Sequence, residues 1–118
     1  YNALLSAYEK GGGEWERAEA TMAEMRAAGV QPDGRTYYRL LCTYAKAKEG
    51  GQWERAEGVI EEMRAAGLQP TVYTYGALLS AYARGGGRWE RAEAAIAEMR
   101  VAGLQPDNNA YNMLVSAY

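Results

Sequence analysis

The chain has no histidine and no phenylalanine, one cysteine and only three prolines in 118 residues. Without histidine, the commonest general base and metal ligand is missing. A lone Cys42 leaves no disulfide framework and no thiolate metal cluster. No apolar run approaches the roughly 20 residues that a membrane-spanning helix needs, and no signal or transit segment is visible. The glycine triplets at 11–13 and 85–87 lack both the Gly-Lys-[Ser/Thr] ending of a phosphate loop and a preceding strand, so they are turns. Glu61 and Glu62 are neighbours, but on a helix adjacent side chains diverge by about 100° and do not converge on one point. No enzymatic function, cofactor, metal or small-molecule substrate is expected.

What is present is one sentence written three times. Trp-Glu-Arg-Ala-Glu occurs at 15–19, 53–57 and 89–93. Tyr-x-x-Leu-[Leu/Val]-x-x-Tyr precedes it, starting at Tyr1, Tyr37, Tyr75 and again at Tyr111. Gly-[Val/Leu]-Gln-Pro follows it, and its prolines, Pro32, Pro70 and Pro106, are the only ones in the chain. Trp15 to Trp53 is 38 residues and Trp53 to Trp89 is 36; the prolines step by the same amounts. Separate markers in one register define a tandem array. We divide it into repeats at about 1–33, 34–71 and 72–107, with a partial repeat at 108–118. The chain begins at Tyr1 and stops at Tyr118, each inside a repeat, as expected for a stretch of a longer array.

Each repeat encodes two helices. Tyr37, Leu40, Leu41 and Tyr44 fall at i, i+3, i+4 and i+7, one stripe of a helix, and the other copies repeat it. A second stripe runs through Trp15, Ala18, Met22 and Met25, through Trp53, Ala56, Ile60 and Met63, and through Trp89, Ala92, Ile96 and Met99. Recurrence in every unit makes these Trp and Met positions packing between helices. The alanine lets the two helices of a repeat approach closely. Gly29, Gly67 and Gly103 are expected to end the second helices in the left-handed conformation, with proline beyond to block continuation. Asp33, Thr71 and Asp107 then occupy the N-cap of the next first helix. The expected fold is all-α: seven helices in antiparallel hairpins, stacked into a right-handed α-α superhelix or an arc of one. Leu40 should be buried, and its truncation to Ala should cost about 2–5 kcal/mol.

Net charge is −2, which does not by itself announce a nucleic-acid partner. The charge is segregated: the second helices are acidic, and the remainder, with Lys10, Arg35, Arg39, Lys46, Lys48, Arg84 and Arg88, is mildly basic. Ordinary solvated helix faces account for that pattern as readily as a binding layer does.

Tyr-Asn-Ala-Leu-Leu-Ser-Ala-Tyr at 1–8, followed by Trp-Glu-Arg-Ala-Glu, Glu-Met-Arg and Ala-Gly-[Val/Leu]-Gln-Pro, resembles the pentatricopeptide repeat family of plant and algal organelles, over the whole chain. The tetratricopeptide pattern fits less well, because Tyr rather than Trp opens the first stripe and Leu41, Leu79 or Val115 stands where its Gly belongs. The family commonly has Phe near the middle of the second helix, where this chain has Met22, Ile60 and Ile96. The repeats here are also longer than the family's, and the additions fall in the Gly-rich turns, where insertions are cheap.

The resemblance implies binding of single-stranded RNA, one base per repeat, by side chains on the inner face of the first helices. It implies base-edge contacts from the residue after the first Tyr and the residue after Gln-Pro: Asn2 with Asp33, Tyr38 with Thr71, Gly76 with Asp107, and Asn112. An Asn/Asp pair favours uracil in the family; Tyr38/Thr71 matches no usual pair, and Gly76 has no side chain. It also implies base stacking from Arg35, Tyr73 and Asn109, and phosphate contacts from Lys10, Lys46 and Arg84. The bland alternatives are a solvated surface cation at the three basic positions and, for Tyr73, an exposed aromatic on a protein-contact surface. Two functions therefore stand open. One is RNA binding in organellar RNA metabolism, in chloroplast or mitochondrion, through stabilisation, processing or translation of a transcript. The other is a scaffold subunit of a large assembly such as an organellar ribosome, contacting rRNA or proteins without a base code. Neither involves a membrane.

Overall fold

A computed structural model describes residues 14–47, 52–86 and 88–117. These form six α-helices: α1 (Trp15–Ala27), α2 (Gly34–Ala45), α3 (Trp53–Ala65), α4 (Val72–Arg84), α5 (Trp89–Val101) and α6 (Asn108–Ala117). No strand occurs among the described residues. The expected helix over the first Tyr stripe, with the turn at 11–13, lies outside them.

The punctuation expected from the sequence forms as expected. Gly29, Gly67 and Gly103 have φ of 77°, 79° and 81°, the left-handed region that costs glycine least. Each closes a Schellman motif: Val30 N–H donates to Met25 O at 2.9 Å, Leu68 N–H to Met63 O at 2.9 Å, and Leu104 N–H to Met99 O at 2.8 Å. At the other end of each linker, Asp33 Oδ1 accepts from Thr36 N–H at 3.0 Å and Thr71 Oγ1 accepts from Thr74 N–H at 3.3 Å, both within capping boxes. Asp107 Oδ1 accepts from Ala110 N–H at 2.9 Å. Six residues between α1 and α2 thus stop one helix and start the next with local hydrogen bonds alone.

The helices stack in two rows. The first helices of the repeats, α2, α4 and α6, pack side by side as an inner row, and each outer helix, α1, α3 and α5, packs on the inner row. Among the described residues, no Cα of one outer helix comes within 8 Å of the next outer helix. Close spacing in one row and wide spacing in the other bends a stack, with the inner row on the concave side. One continuous core fills the space between rows. Tyr37, Leu40, Leu41 and Tyr44 are buried, as are Tyr75, Leu78, Leu79 and Tyr82. Ala18, Ala56 and Ala92 are fully inaccessible, which places them at the close approach expected of a small residue.

The Trp positions depart from the expected core stripe. Trp15 and Trp53 are only partly buried, and Trp89 is 42% exposed. Each starts an outer helix, at the rim of the core. Trp15 tilts against Tyr44 and Trp53 against Tyr82, both with ring centroids 6.3 Å apart. Cations of the following repeat lie over the first two indoles: Arg55 is 4.3 Å from the Trp15 ring, and Arg88 and Arg91 are 5.0 and 4.6 Å from that of Trp53. The fourth Tyr stripe is also less buried than the others. Tyr111 is 40% exposed and Val115 66%, because α6 has inner-row contact with α4 alone.

Candidate nucleic-acid interface

The inner row lines up the N-terminal halves of α2, α4 and α6, and the helix caps fix how each enters the row. A buried Thr36 and Thr74 at the third helical position, bonded back to the cap, hold that entry. Along the concave face this aligns residues one helical turn apart. A groove of about 290 Å³ results, with Tyr38, Lys46, Tyr73, Gly76, Asp107 and Asn109 among its lining residues. These six come from three helices and two linkers, and all six are residues singled out in the sequence.

Within the groove, Tyr38 of α2 and Tyr73 of α4 meet edge to face with centroids 6.5 Å apart. The Arg39 guanidinium lies 5.8 Å from the Tyr38 ring. Tyr73 is 74% exposed, so most of its ring is open to a flat ligand. Lys46 is exposed at the C-cap of α2, and Arg84 lies in the last turn of α4. Both positions also suit a cation electrostatically, since helix C-termini carry partial negative charge.

The other candidates are dispersed. Asp33, Arg35, Thr71, Arg84 and Asn112 are exposed but do not line that groove. Asn2 and Lys10 lie outside the described residues. The candidate reading residues Asp33 and Thr71 are the caps themselves. Asp33 Oδ1 also accepts from the Thr36 hydroxyl at 2.9 Å, and the hydrogen bonds from Thr36 hold the Asp33 carboxyl below its ordinary range. Its remaining oxygen is the only part left to face a ligand.

Two groups of residues escaped the sequence reading. Cys42 and Ser80 line the groove one turn beyond Tyr38 and Gly76, a spacing of four that helical periodicity would have supplied. The larger omission concerns the outer row, where the recurring glutamates read as a solvated face. Glu19 and Glu57 are instead half-buried: each accepts from a core phenol, Tyr44 and Tyr82, and pairs with the next repeat's Arg55 or Arg91 at 3.0 Å. Burial, then the hydrogen bond to the carboxylate, keeps both phenols protonated well above the ordinary tyrosine range. A parallel rung joins Arg26 to Glu62 at 2.8 Å and Arg64 to Glu98 at 3.3 Å. The same two arginines donate to the hydroxyls of Tyr37 and Tyr75. Constant separations carry the signal, 11 residues from Arg to Tyr and 25 from Glu to Tyr.

The family model for the pentatricopeptide repeat domain matches residues 1–47, 20–85 and 58–118. The pentatricopeptide repeat-containing protein 10, chloroplastic, of Zea mays is 53% identical over 36 residues, 30% of this chain and 5% of that protein. A crystal structure of the pentatricopeptide repeat protein PPR10 in complex with an 18-nt psaJ RNA element matches with a TM-score of 0.80 and 29% identity over 90% of this chain. The crystal structure of PPR10 from maize matches with a TM-score of 0.78 and 30% identity over 91% of it. The chain spans 15% and 14% of those two solved chains.

Proposed function

Since this chain belongs to the pentatricopeptide repeat family, we propose that it binds single-stranded RNA along the concave groove of its inner helix row. The observation that carries this reading is the meeting of Tyr38, Lys46, Tyr73, Gly76, Asp107 and Asn109 in one open groove. Exposed aromatic faces give sequence-tolerant stacking for unpaired bases. Tyr73 supplies such a face, with Tyr38 beside it, and the Arg35 guanidinium offers another. Lys46, Arg84 and, by repetition, Lys10 attract the phosphate backbone. Asp107 presents an acceptor to a base edge; Asn2 with Asp33 forms the pair whose chemistry suits uracil, and Asn112 offers the same amide in the partial repeat. Occlusion of a bound segment from nucleases or from RNA structure would act in stabilisation, processing or translation of an organellar transcript. The chloroplastic relative supports that compartment.

The test is filter binding to U-containing single strands across a salt series. Affinity should fall with a log–log slope of about −0.7 per phosphate neutralised, and Lys46→Glu should weaken binding and flatten the slope by about that amount. Binding indifferent to salt and to Lys46→Glu overturns the proposal.

One observation favours the second reading, a scaffold without a base code. Asp33 and Thr71 are occupied in capping boxes, and Gly76 brings no side chain. An array of that kind suits packing on rRNA or proteins of an organellar ribosome. Co-sedimentation with organellar ribosomes at high salt would support it; free monomer in the same gradient would remove it.

A further inference from the structure

The concave face holds the same two-residue contact twice, with different chemistry. Tyr38 follows the Tyr that opens the α2 stripe, and Tyr73 sits two residues before the Tyr that opens the α4 stripe; their rings meet at 6.5 Å. One repeat further on, Gly76 and Asn109 occupy the equivalent places on α4 and α6. The Asn109 Nδ2 lies 3.8 Å from where a Cβ on Gly76 would stand, and among the described residues no other group apart from Gly76's chain neighbours and local helix backbone comes within 4 Å of that point. The carboxamide of the next helix therefore stands in van der Waals contact with the place of the missing side chain.

We propose that Asn109 is the base-edge reading residue at the Gly76 position, in place of the side chain that Gly76 lacks, and not a stacking residue. This inference rests on the RNA-binding reading above. Three features carry it beyond proximity. Asn109 is exposed, and no hydrogen bond to a described residue ties up its amide. Among the described residues lining the groove it is the only carboxamide. Asp107 lines the same groove and commits Oδ1 to its helix cap, which leaves Oδ2 as an acceptor beside the amide.

The chemistry follows from the donor and acceptor inventory. A carboxamide places an N–H donor and a carbonyl acceptor side by side, which matches the paired donor and acceptor on the Watson–Crick edge of an unpaired base. A small, planar but non-aromatic group is a poor stacking platform. The neighbouring Tyr38/Tyr73 site is the reverse: broad ring faces suited to stacking, which tolerates any base. Successive nucleotides would then meet one site that holds and one that selects.

The test is enrichment of a randomised single-stranded RNA pool by the whole chain, wild type against Asn109→Val. Valine keeps an apolar surface but removes the hydrogen-bonding edge. The wild type should show a base preference of about tenfold or more at one nucleotide, the scale of a good bidentate contact. Asn109→Val should flatten the preference at that nucleotide and leave the other positions unchanged. Adding Gly76→Asn to Asn109→Val should restore a preference at the same nucleotide. Unchanged preferences in Asn109→Val, or no preference anywhere in a wild type that binds RNA, overturn the assignment of Asn109 alone. Failure of the wild type to enrich any RNA overturns the RNA-binding reading with it.

Discussion

The two helix rows come from the same repeat yet are held by different forces. Inner helices lie close to one another, and the apolar side chains they turn to the shared core, Leu41, Tyr75 and Leu79 among them, are almost wholly inaccessible. Outer helices stay apart, and crevices of about 310 and 390 Å³ open between them. Across each crevice run Arg–Glu pairs whose side chains are 31–54% exposed, and arginines laid over Trp15 and Trp53. Dispersion and apolar burial fall off sharply with a gap, so the inner row is rigid. Long charged side chains reach across a variable distance, so the outer row can adjust. The face that carries the groove is the stiff one, as a surface must be if it is to hold successive nucleotides at fixed spacing.

The comparison breaks most visibly if the inner row proves easy to damage without consequence. Leu79→Ala removes a fully buried side chain between rows. It should cost about 2–5 kcal/mol in urea unfolding, the transfer loss plus that of the cavity left behind. A loss no larger than that of an outer-row truncation would show that the rows share the load equally.

The asymmetry between rows also explains what the sequence revealed. Helix ends were legible because their chemistry is local: Gly67 and Leu68 close α3 on residues three and five earlier, and Thr71 caps α4 with Thr74. The inner stripes were legible because a period of 3.6 needs no knowledge of the partner. The outer ladder was not. Glu57 meets Arg91 across 34 residues and Glu19 meets Arg55 across 36, and only the stacking geometry says that those surfaces face each other. An isolated helix with those glutamates would be solvated, as the sequence reading had it. The site shows the same division. Tyr38, Tyr73 and Asp107 were found by position in the repeat, whereas the approach of Asn109 to Gly76 depends on how far α6 slides along α4.

The linkers belong to neither row, and their caps contribute less than the core does. Asp33→Ala removes the cap of α2 and should cost about 0.5–2 kcal/mol at neutral pH. The native hydrogen bonds from Thr36 lower the Asp33 pKa, so its stabilisation is present above the unfolded-state value of about 3.9 and is lost as pH falls through the lower native value. The gap between wild type and Asp33→Ala, measured by thermal unfolding from pH 7 downward, should stay level to about pH 4 and narrow below it. A gap that widens in acid would mean that the carboxylate is not the cap.

The smallest effect belongs to the outer row, and it tests the idea of an adjustable spacer. Arg91 pairs with Glu57 at 3.0 Å and covers the Trp53 ring at 4.6 Å, with its side chain 54% exposed. An exposed pair contributes about 0–1 kcal/mol, and an exposed cation–π contact about 0.5–1 kcal/mol more. Arg91→Ala should therefore cost less than Leu79→Ala does. Its ionic part should shrink in about 1 M salt, where screening reaches about 3 Å, while the loss from Leu79→Ala should not shrink. Its second consequence is structural. With that strut gone, of the two ion pairs only Arg64–Glu98 still ties α3 to α5, and small-angle scattering should register a change in radius of gyration larger than that of Leu79→Ala at matched folded fraction. An unchanged radius with an unchanged salt response would mean that the inner row alone sets the curvature of the groove.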